Sequence, residues 1–196
     1  MWDARFAEPG FAYGTEPNDF LRDIASRFPA GPILSLAEGE GRNAAFLGSL
    51  GHPMHAVDGS AVGLAKAQEL ARQRGAVLTT EVTDLDGWQL PRRSWSGIIA
   101  FYLHLLDVPH RALFGQVADA LAPGGMFALE AFAPGQLGRR SGGPTDPARL
   151  HTLAQWQDAL PGLEWEIARE VERPLQEGRY HVGPALVLQL LGRRPG

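Results

Sequence analysis

The feature that most constrains the fold is a regular alternation of short apolar runs with longer amphipathic segments. Residues 33–37 form one such run, and residues 42–50 then carry Ala44, Leu47 and Leu50, which suit a helix. The alternation predicts strands at 33–37, 54–57, 77–82, 95–103 and 125–132, and helices at 17–28, 42–50, 61–74 and 110–121. Parallel strands need crossover connections, which are right-handed. The pattern therefore predicts a doubly wound α/β sheet.

The end of the chain follows a different pattern. After a predicted helix at 148–160, two predicted strands at 165–171 and 182–191 are joined through 174–178, which is too short for a crossover helix. We therefore expect one Rossmann-like domain over residues 1–196, with a mostly parallel seven-stranded sheet, an antiparallel C-terminal hairpin and helices on both faces. Residues 1–30 are predicted to be a lead-in helix and lid. The Gly- and Pro-rich segment 133–147 is predicted to be a substrate loop.

Composition narrows the classes of function. A net charge of -4 argues against broad binding to nucleic acid or anionic membranes. The chain has no cysteine, and its six histidines are scattered, so no metal site is expected. The N-terminus lacks an apolar signal region, and the longest apolar run, 98–108, is too short to span a bilayer. We expect a soluble, cytoplasmic protein, and the sequence leaves monomer and homodimer open.

A glycine-rich loop, Glu-Gly-Glu-Gly-Arg-Asn at 38–43, joins the first strand of the alternation to the next helix. Gly39 and Gly41 let backbone amides approach a ligand at a helix N-terminus, although glycines also occur at such turns for steric reasons alone. Asp58 ends the next strand, nineteen positions after Gly39, where an acid can accept the hydroxyls of an adenosine ribose. Asp84, beyond the third strand, is placed to bind an adenine amino group or to be an exposed turn residue.

With these motifs the sequence resembles the class I S-adenosylmethionine-dependent methyltransferases, and within them the tellurite-resistance and thiopurine methyltransferase-like branch. The resemblance covers nearly the whole chain. It is carried by Trp2-Asp3-x-Arg5-Phe6, Tyr13-Gly14-Thr15-Glu16-Pro17-Asn18, Gly39-Glu40-Gly41-Arg42-Asn43, Asp58, Asp84-Leu85 and Leu121-Ala122-Pro123-Gly124-Gly125.

The resemblance implies S-adenosylmethionine as cofactor, S-adenosylhomocysteine as product and a small-molecule methyl acceptor. It implies the methionine end at Gly39 and Gly41, the ribose at Asp58 and the adenine near Asp84 and Leu85. The expected cofactor-binding residues are Leu36, Ala37, Glu38, Gly39, Gly41, Arg42, Asn43, Asp58, Gly59, Ser60, Asp84, Leu85, Phe101 and Tyr102.

The first motif departs from the family. Ser35 stands where the family usually has an acid, and Ala37-Glu38 stands where it has Gly-Cys. Glu38 is then expected to supply the displaced carboxylate, either by meeting the cofactor's ammonium or by ordering the loop. The alternative is a solvated loop glutamate.

Methyl transfer from a sulfonium needs alignment and desolvation first, and a base only for some acceptors. His104, just past the fourth strand, is the candidate base, with a packed or supporting histidine as the alternative. Tyr102 can face the sulfonium or be a packing residue. The candidate substrate-binding residues are Tyr13, Phe132, Arg139, Arg179, Tyr180 and His181.

Two other functions fit part of the pattern. Gly39-x-Gly41-x-x-Ala44 with a later acid also satisfies the fingerprint of an NAD(P)-dependent oxidoreductase, although the antiparallel ending lacks a second mononucleotide half. A non-catalytic S-adenosylmethionine-binding module is the third reading, motivated by the altered first motif. The favoured function is methyl transfer to a sulfur, selenium, tellurium, oxygen or nitrogen acceptor.

Overall fold

The computed structural model describes residues 2–92 and 95–196, and its centre is a seven-stranded sheet in the order β3-β2-β1-β4-β5-β7-β6. The first five strands of this order run parallel, and β7 runs antiparallel to both of its neighbours, β5 and β6. The strands are β1 Ile33–Leu36, β2 Met54–Asp58, β3 Leu78–Val82, β4 Trp95–Phe101, β5 Leu121–Phe132, β6 Glu164–Glu177 and β7 His181–Arg193. The predicted mixed sheet and its terminal hairpin are confirmed.

Helices cover both faces of the sheet. The α-helices are α1 Trp2–Phe6, α2 Asp19–Ile24, α3 Arg42–Ser49, α4 Ala61–Gln73, α5 Asp107–Phe114, α6 Val117–Ala120 and α7 Leu153–Ala159, with 3₁₀ turns at Ala25–Arg27, Pro134–Gln136 and Pro147–Arg149. Helices α2 and α3 pack on one face, where Ile33 lies, and α5, α6 and α7 pack on the other, where Leu34 lies. Burial of alternate strand residues on the two faces holds the layers together. No helix in the described part of the chain is long and apolar enough to cross a membrane.

The strand order fixes where a ligand site can form. β1 pairs with β2 on one side and with β4 on the other, so the chain reverses its direction of travel across the sheet beside β1. The carboxyl ends of β1, β2, β4 and β5 therefore meet at one edge, at the topological switch point of an open sheet.

Several elements differ from the sequence prediction. The expected helix at 110–121 is instead α5 and the short α6, and β5 begins at Leu121 rather than at residue 125. The hairpin strands are much longer than predicted, because Pro174 continues β6 opposite Pro184 instead of ending it. β6 is an edge strand, where proline is tolerated because one side of the backbone needs no ladder bond. Helix α1 was not predicted.

Candidate active site

Glu38 orders the glycine-rich loop. Its Oε1 accepts hydrogen bonds from the backbone N–H groups of Asn43 (3.1 Å) and Ala44 (2.9 Å), and its Oε2 accepts one from the Ser35 hydroxyl. The carboxylate thus caps the N-terminus of α3, where a helix favours negative charge. Burial raises the pKa of Glu38 to about 7, against the lowering effect of its hydrogen bonds. Of the expected roles for Glu38, the structure shows loop ordering.

Asp58 ties the same loop to the end of β2. Its Oδ2 accepts from the N–H of Gly39 and its Oδ1 from the N–H of Ser60, both at 2.8 Å. Burial raises the pKa of Asp58, these two bonds lower it, and the nearby Asp3 raises it further. Each oxygen keeps a second lone pair, so the carboxylate can still accept hydroxyl donors.

Close packing explains the two loop glycines. Gly41 has φ +91°, and a Cβ there would lie 2.5 Å from Cα of Ala67 in α4. Gly39 has φ +64°, and a Cβ there would lie 3.1 Å from the ring of Phe6. Helix α1 therefore lies over the loop through Phe6, while its Asp3 accepts from the Ser60 hydroxyl. Helix α1 lies within residues 1–30, where a lid stays a prediction.

A buried network of charges joins the loop to the hairpin. Arg42, the first residue of α3, pairs with Glu177 at 2.9 Å. Arg173 pairs with Glu177 at 2.8 Å and with Glu130 at 2.9 Å. Asn18 donates to both carboxylates and also caps α2. Because every buried charge has a partner of opposite sign, the network holds loop, β5 and β6 in a fixed arrangement.

Aromatic rings gather where β4, β5 and the start of β7 meet. The His181 ring lies 4.4 Å from the Tyr102 ring, 4.5 Å from Tyr13 and 5.3 Å from Phe132, measured between centroids. Tyr102 has φ +57° and donates its hydroxyl to Glu130 at 2.6 Å. Burial, and then the Glu130 charge, raise the pKa of Tyr102 well above its usual value, so it stays neutral. We call these four residues the aromatic cluster.

The segment with Tyr13 reaches this cluster through glycine. Gly178, in the hairpin turn, has φ +63°, and a Cβ there would lie 2.3 Å from the carbonyl oxygen of Ala12. The backbone N–H of Arg179 donates to that same oxygen at 2.8 Å. Only glycine allows the N-terminal segment to pass this close to the turn.

His104 stands at the edge of the cluster, stacked on Phe132 at 5.7 Å. Its Nε2 faces the backbone N–H of Phe132 at 3.5 Å, and burial lowers its pKa to about 3. A nitrogen directed at a backbone donor, on a ring that resists protonation, is a poor proton acceptor. This geometry does not favour the predicted role of His104 as base.

The structure brings some predicted residues together and separates others. Tyr13, Phe132 and His181 meet, and Tyr180 lies beside Tyr13 at 5.9 Å. Arg139 instead pairs with Glu172, and Arg179 with Glu8.

Several of the predicted cofactor-binding residues have structural roles in the interior of the protein. Leu36 and Leu85 lie in one core cluster, Phe101 lies in the other, the Asn43 side chain binds the Asn18 backbone, and Ser60 caps α4. Asp84 is exposed and accepts from the N–H of Asp86, and Ala37 and Gly59 lie in the turns after β1 and β2.

Sequence reasoning missed the buried acids Glu130 and Glu177 and their partner Arg173. One signal was available for Glu177, because it precedes His181 by four residues on either side of a glycine turn. It also missed Arg5, which donates to the Tyr13 hydroxyl at 2.8 Å and lies over the Tyr180 ring.

Comparison with known proteins supports a single fold. Residues 33–125 match the model of a methyltransferase domain. The structure superposes on TehB from Haemophilus influenzae with a TM-score of 0.74 and 15% identity, over 90% of this chain and 62% of TehB. The chain has a methyltransferase fold. An S-adenosylmethionine-dependent methyltransferase from Mesorhizobium loti is similar at TM-score 0.68 and 21% identity, over 89% of this chain and 95% of that one.

Another structural match is a protein solved in work on the conversion of a disulfide bond into a thioacetal group during echinomycin biosynthesis. It has a TM-score of 0.74 and 18% identity, over 97% of this chain and 86% of that chain. No curated protein matches the sequence significantly. At these identities the neighbours establish the fold alone. Any proposal about chemistry therefore depends on the glycine-rich loop and the aromatic cluster of this chain.

Proposed function

We propose that the protein is an S-adenosylmethionine-dependent methyltransferase that acts on a small-molecule acceptor carrying sulfur, selenium, tellurium, oxygen or nitrogen. The cofactor would supply an electrophilic methyl group on a sulfonium. Its methionine end would lie at Gly39 and Gly41 and its ribose at Asp58, and Tyr102 would face the sulfonium. The match over residues 33–125 and the fold support this proposal.

One observation carries the proposal against the dinucleotide alternative. A dinucleotide places its pyrophosphate at the N-terminus of the helix after the first strand. Here the Glu38 carboxylate already accepts the N–H groups of Asn43 and Ala44 at that helix end. A pyrophosphate there would find these two donors taken and would be repelled by the ionised fraction of Glu38, whereas a cationic cofactor without phosphate needs neither donor and is attracted by that fraction.

The residues of this chain would bind and orient. Asp58 would accept from hydroxyls through the lone pairs that Gly39 and Ser60 leave free. The aromatic cluster would exclude water from the acceptor, which strengthens alignment in the displacement. The tellurite and thiopurine chemistry of the family branch is one acceptor class to screen among several.

Titration calorimetry tests the cofactor. We expect S-adenosylmethionine and S-adenosylhomocysteine to bind and NAD not to bind. Asp58→Asn should weaken S-adenosylmethionine binding by about 10–100-fold, because a charge-assisted acceptor becomes neutral. Asp86→Asn, a nearby exposed aspartate, is the control and should bind as the wild type does. Binding of NAD without S-adenosylmethionine would overturn the proposal.

A turnover screen tests the transfer itself. Release of S-adenosylhomocysteine is followed with thiols, phenols, amines, selenite and tellurite as acceptors. Turnover on any of them supports an enzyme. Cofactor binding without turnover on the whole panel would instead support a non-catalytic binding module.

A further inference from the structure

His181 differs from the other histidine near the cluster in how it is held. Its Nδ1 lies 3.1 Å from Oε2 of Glu177, a buried carboxylate. Burial alone raises the pKa of Glu177, but His181 and Arg42 outweigh it and bring that pKa to about 2, so Glu177 stays ionised. An ionised carboxylate on Nδ1 makes that nitrogen the donor and leaves Nε2 as the acceptor. A carboxylate in this position also stabilises an imidazolium once it forms.

The surroundings of the His181 ring indicate what it can contact. Gly142 of the 133–147 loop lies against the Cδ2–Nε2 edge, since a Cβ there would be 2.7 Å from Cδ2 and 3.4 Å from Nε2. The other sides of the ring are walled by Tyr13, Tyr102 and Phe132. Nε2 therefore lies between the loop and the rings of the cluster, on a side chain that is buried.

We propose that His181, oriented by Glu177, is the general base of the methyl transfer, and that the acceptor is a neutral molecule whose attacking atom carries a proton. This inference rests on the proposed function. The acceptor's lone pair forms the bond to the methyl carbon, the methyl–sulfur bond breaks and its electron pair stays on sulfur. The proton of the attacking atom goes to Nε2 of His181.

Charges around His181 set its proton affinity. Burial has the largest effect and lowers the pKa of His181. Glu177 raises that pKa, Arg42 lowers it and Glu130 raises it, and the net result is a pKa below its ordinary value. The titratable and charged groups near it on the packed elements are Tyr13, Arg42, Tyr102, His104, Glu130, Arg173 and Glu177. The resting ring is neutral, which is the form that a base needs.

Two thiol acceptors separate a base from a structural residue. Benzyl thiol is protonated at neutral pH, whereas 4-nitrothiophenol is already ionised and needs no base. We expect His181→Gln, whose amide can still donate to Glu177, to lower kcat/KM for benzyl thiol by about 10²–10⁴-fold and for 4-nitrothiophenol by about threefold or less. His55→Gln, on β2, is the control and should leave both rates unchanged.

Two further measurements do not depend on comparing kcat/KM for the two thiols. Added imidazole should restore the turnover of benzyl thiol by His181→Ala, because the cavity then admits the missing base. Nuclear magnetic resonance of ¹⁵N-labelled histidine in the intact protein should show His181 as the tautomer with the proton on Nδ1. Protonation on Nε2 in the neutral ring would overturn the proposal.

The kinetic outcomes are also decisive. Three results would each overturn the role of His181. They are equal losses of kcat/KM on both thiols in His181→Gln, no rescue of His181→Ala by imidazole, and a His104→Gln variant in which the difference between the two thiols disappears. A wild-type protein that binds S-adenosylmethionine but methylates neither thiol would overturn the acceptor class and leave the cofactor standing. A wild-type protein that binds no S-adenosylmethionine would overturn the proposed function itself.

Discussion

Replacing Glu38 with glutamine should change how the stability of the protein depends on pH. In the folded chain the pKa of Glu38 is about 7, against an ordinary value of 4.5. The folded state therefore binds this proton more tightly than the unfolded state, so Glu38 makes stability fall as pH rises from about 4.5 to about 7. This difference between the two pKa values changes the free energy of unfolding by about 3 kcal/mol, since each tenfold change in proton affinity is worth ~1.4 kcal/mol.

The measurement is the free energy of unfolding in urea at several pH values between 4.5 and 7.5, for the wild type and for Glu38→Gln. Subtracting the two curves removes the contribution of histidines that titrate in the same range. We expect the wild type to lose up to about 3 kcal/mol relative to the variant across this window. The exposed Glu170→Gln is the control and should differ from wild type by about 0.5 kcal/mol or less throughout. A difference between Glu38→Gln and wild type that does not vary with pH would refute the reasoning.

Two further perturbations follow from packing. Both ring nitrogens of His110 are buried without a hydrogen-bond partner among the described residues, and burial lowers the pKa of His110 to about 3. The folded state therefore disfavours the protonated ring, so stability that is present above pH 6.5 is lost as pH falls toward 3. His110→Phe should move acid unfolding, followed by circular dichroism, to lower pH; an unchanged midpoint would contradict this. Gly178→Ala should destabilise by about 2–4 kcal/mol, because its Cβ would meet the Ala12 carbonyl, whereas Gly75→Ala, at a similar φ in open space, should cost about 1 kcal/mol. Equal losses in melting experiments would show that backbone strain alone matters.

The parts of the molecule that could be predicted are those set by local sequence. The strand–loop–helix around Gly39 and Gly41 is encoded within a dozen residues, and Asn18 caps a helix by contacts within three positions. The contact between Arg42 and Glu177 joins residues 135 positions apart, and no periodicity marks it. The length of β6 was also missed, because Pro174 ends a strand by local rules and is permitted only by its place at the sheet edge.

The same distinction explains why the proposed cofactor-binding residues are easier to recognise from sequence than the proposed acceptor-binding residues. Oε2 of Glu177 meets both Nη2 of Arg42 and Nδ1 of His181. Arg42 begins the helix that follows the glycine-rich loop, so the electrostatic setting of His181 depends on a residue positioned by that loop. Burial lowers the pKa of His181, Glu177 raises it and Arg42 lowers it, and this combination exists only when loop and hairpin have both folded. The proposed base cannot be recognised from its own segment alone, because Glu177 is near in sequence but Arg42, which completes its electrostatic setting, is 135 positions before Glu177.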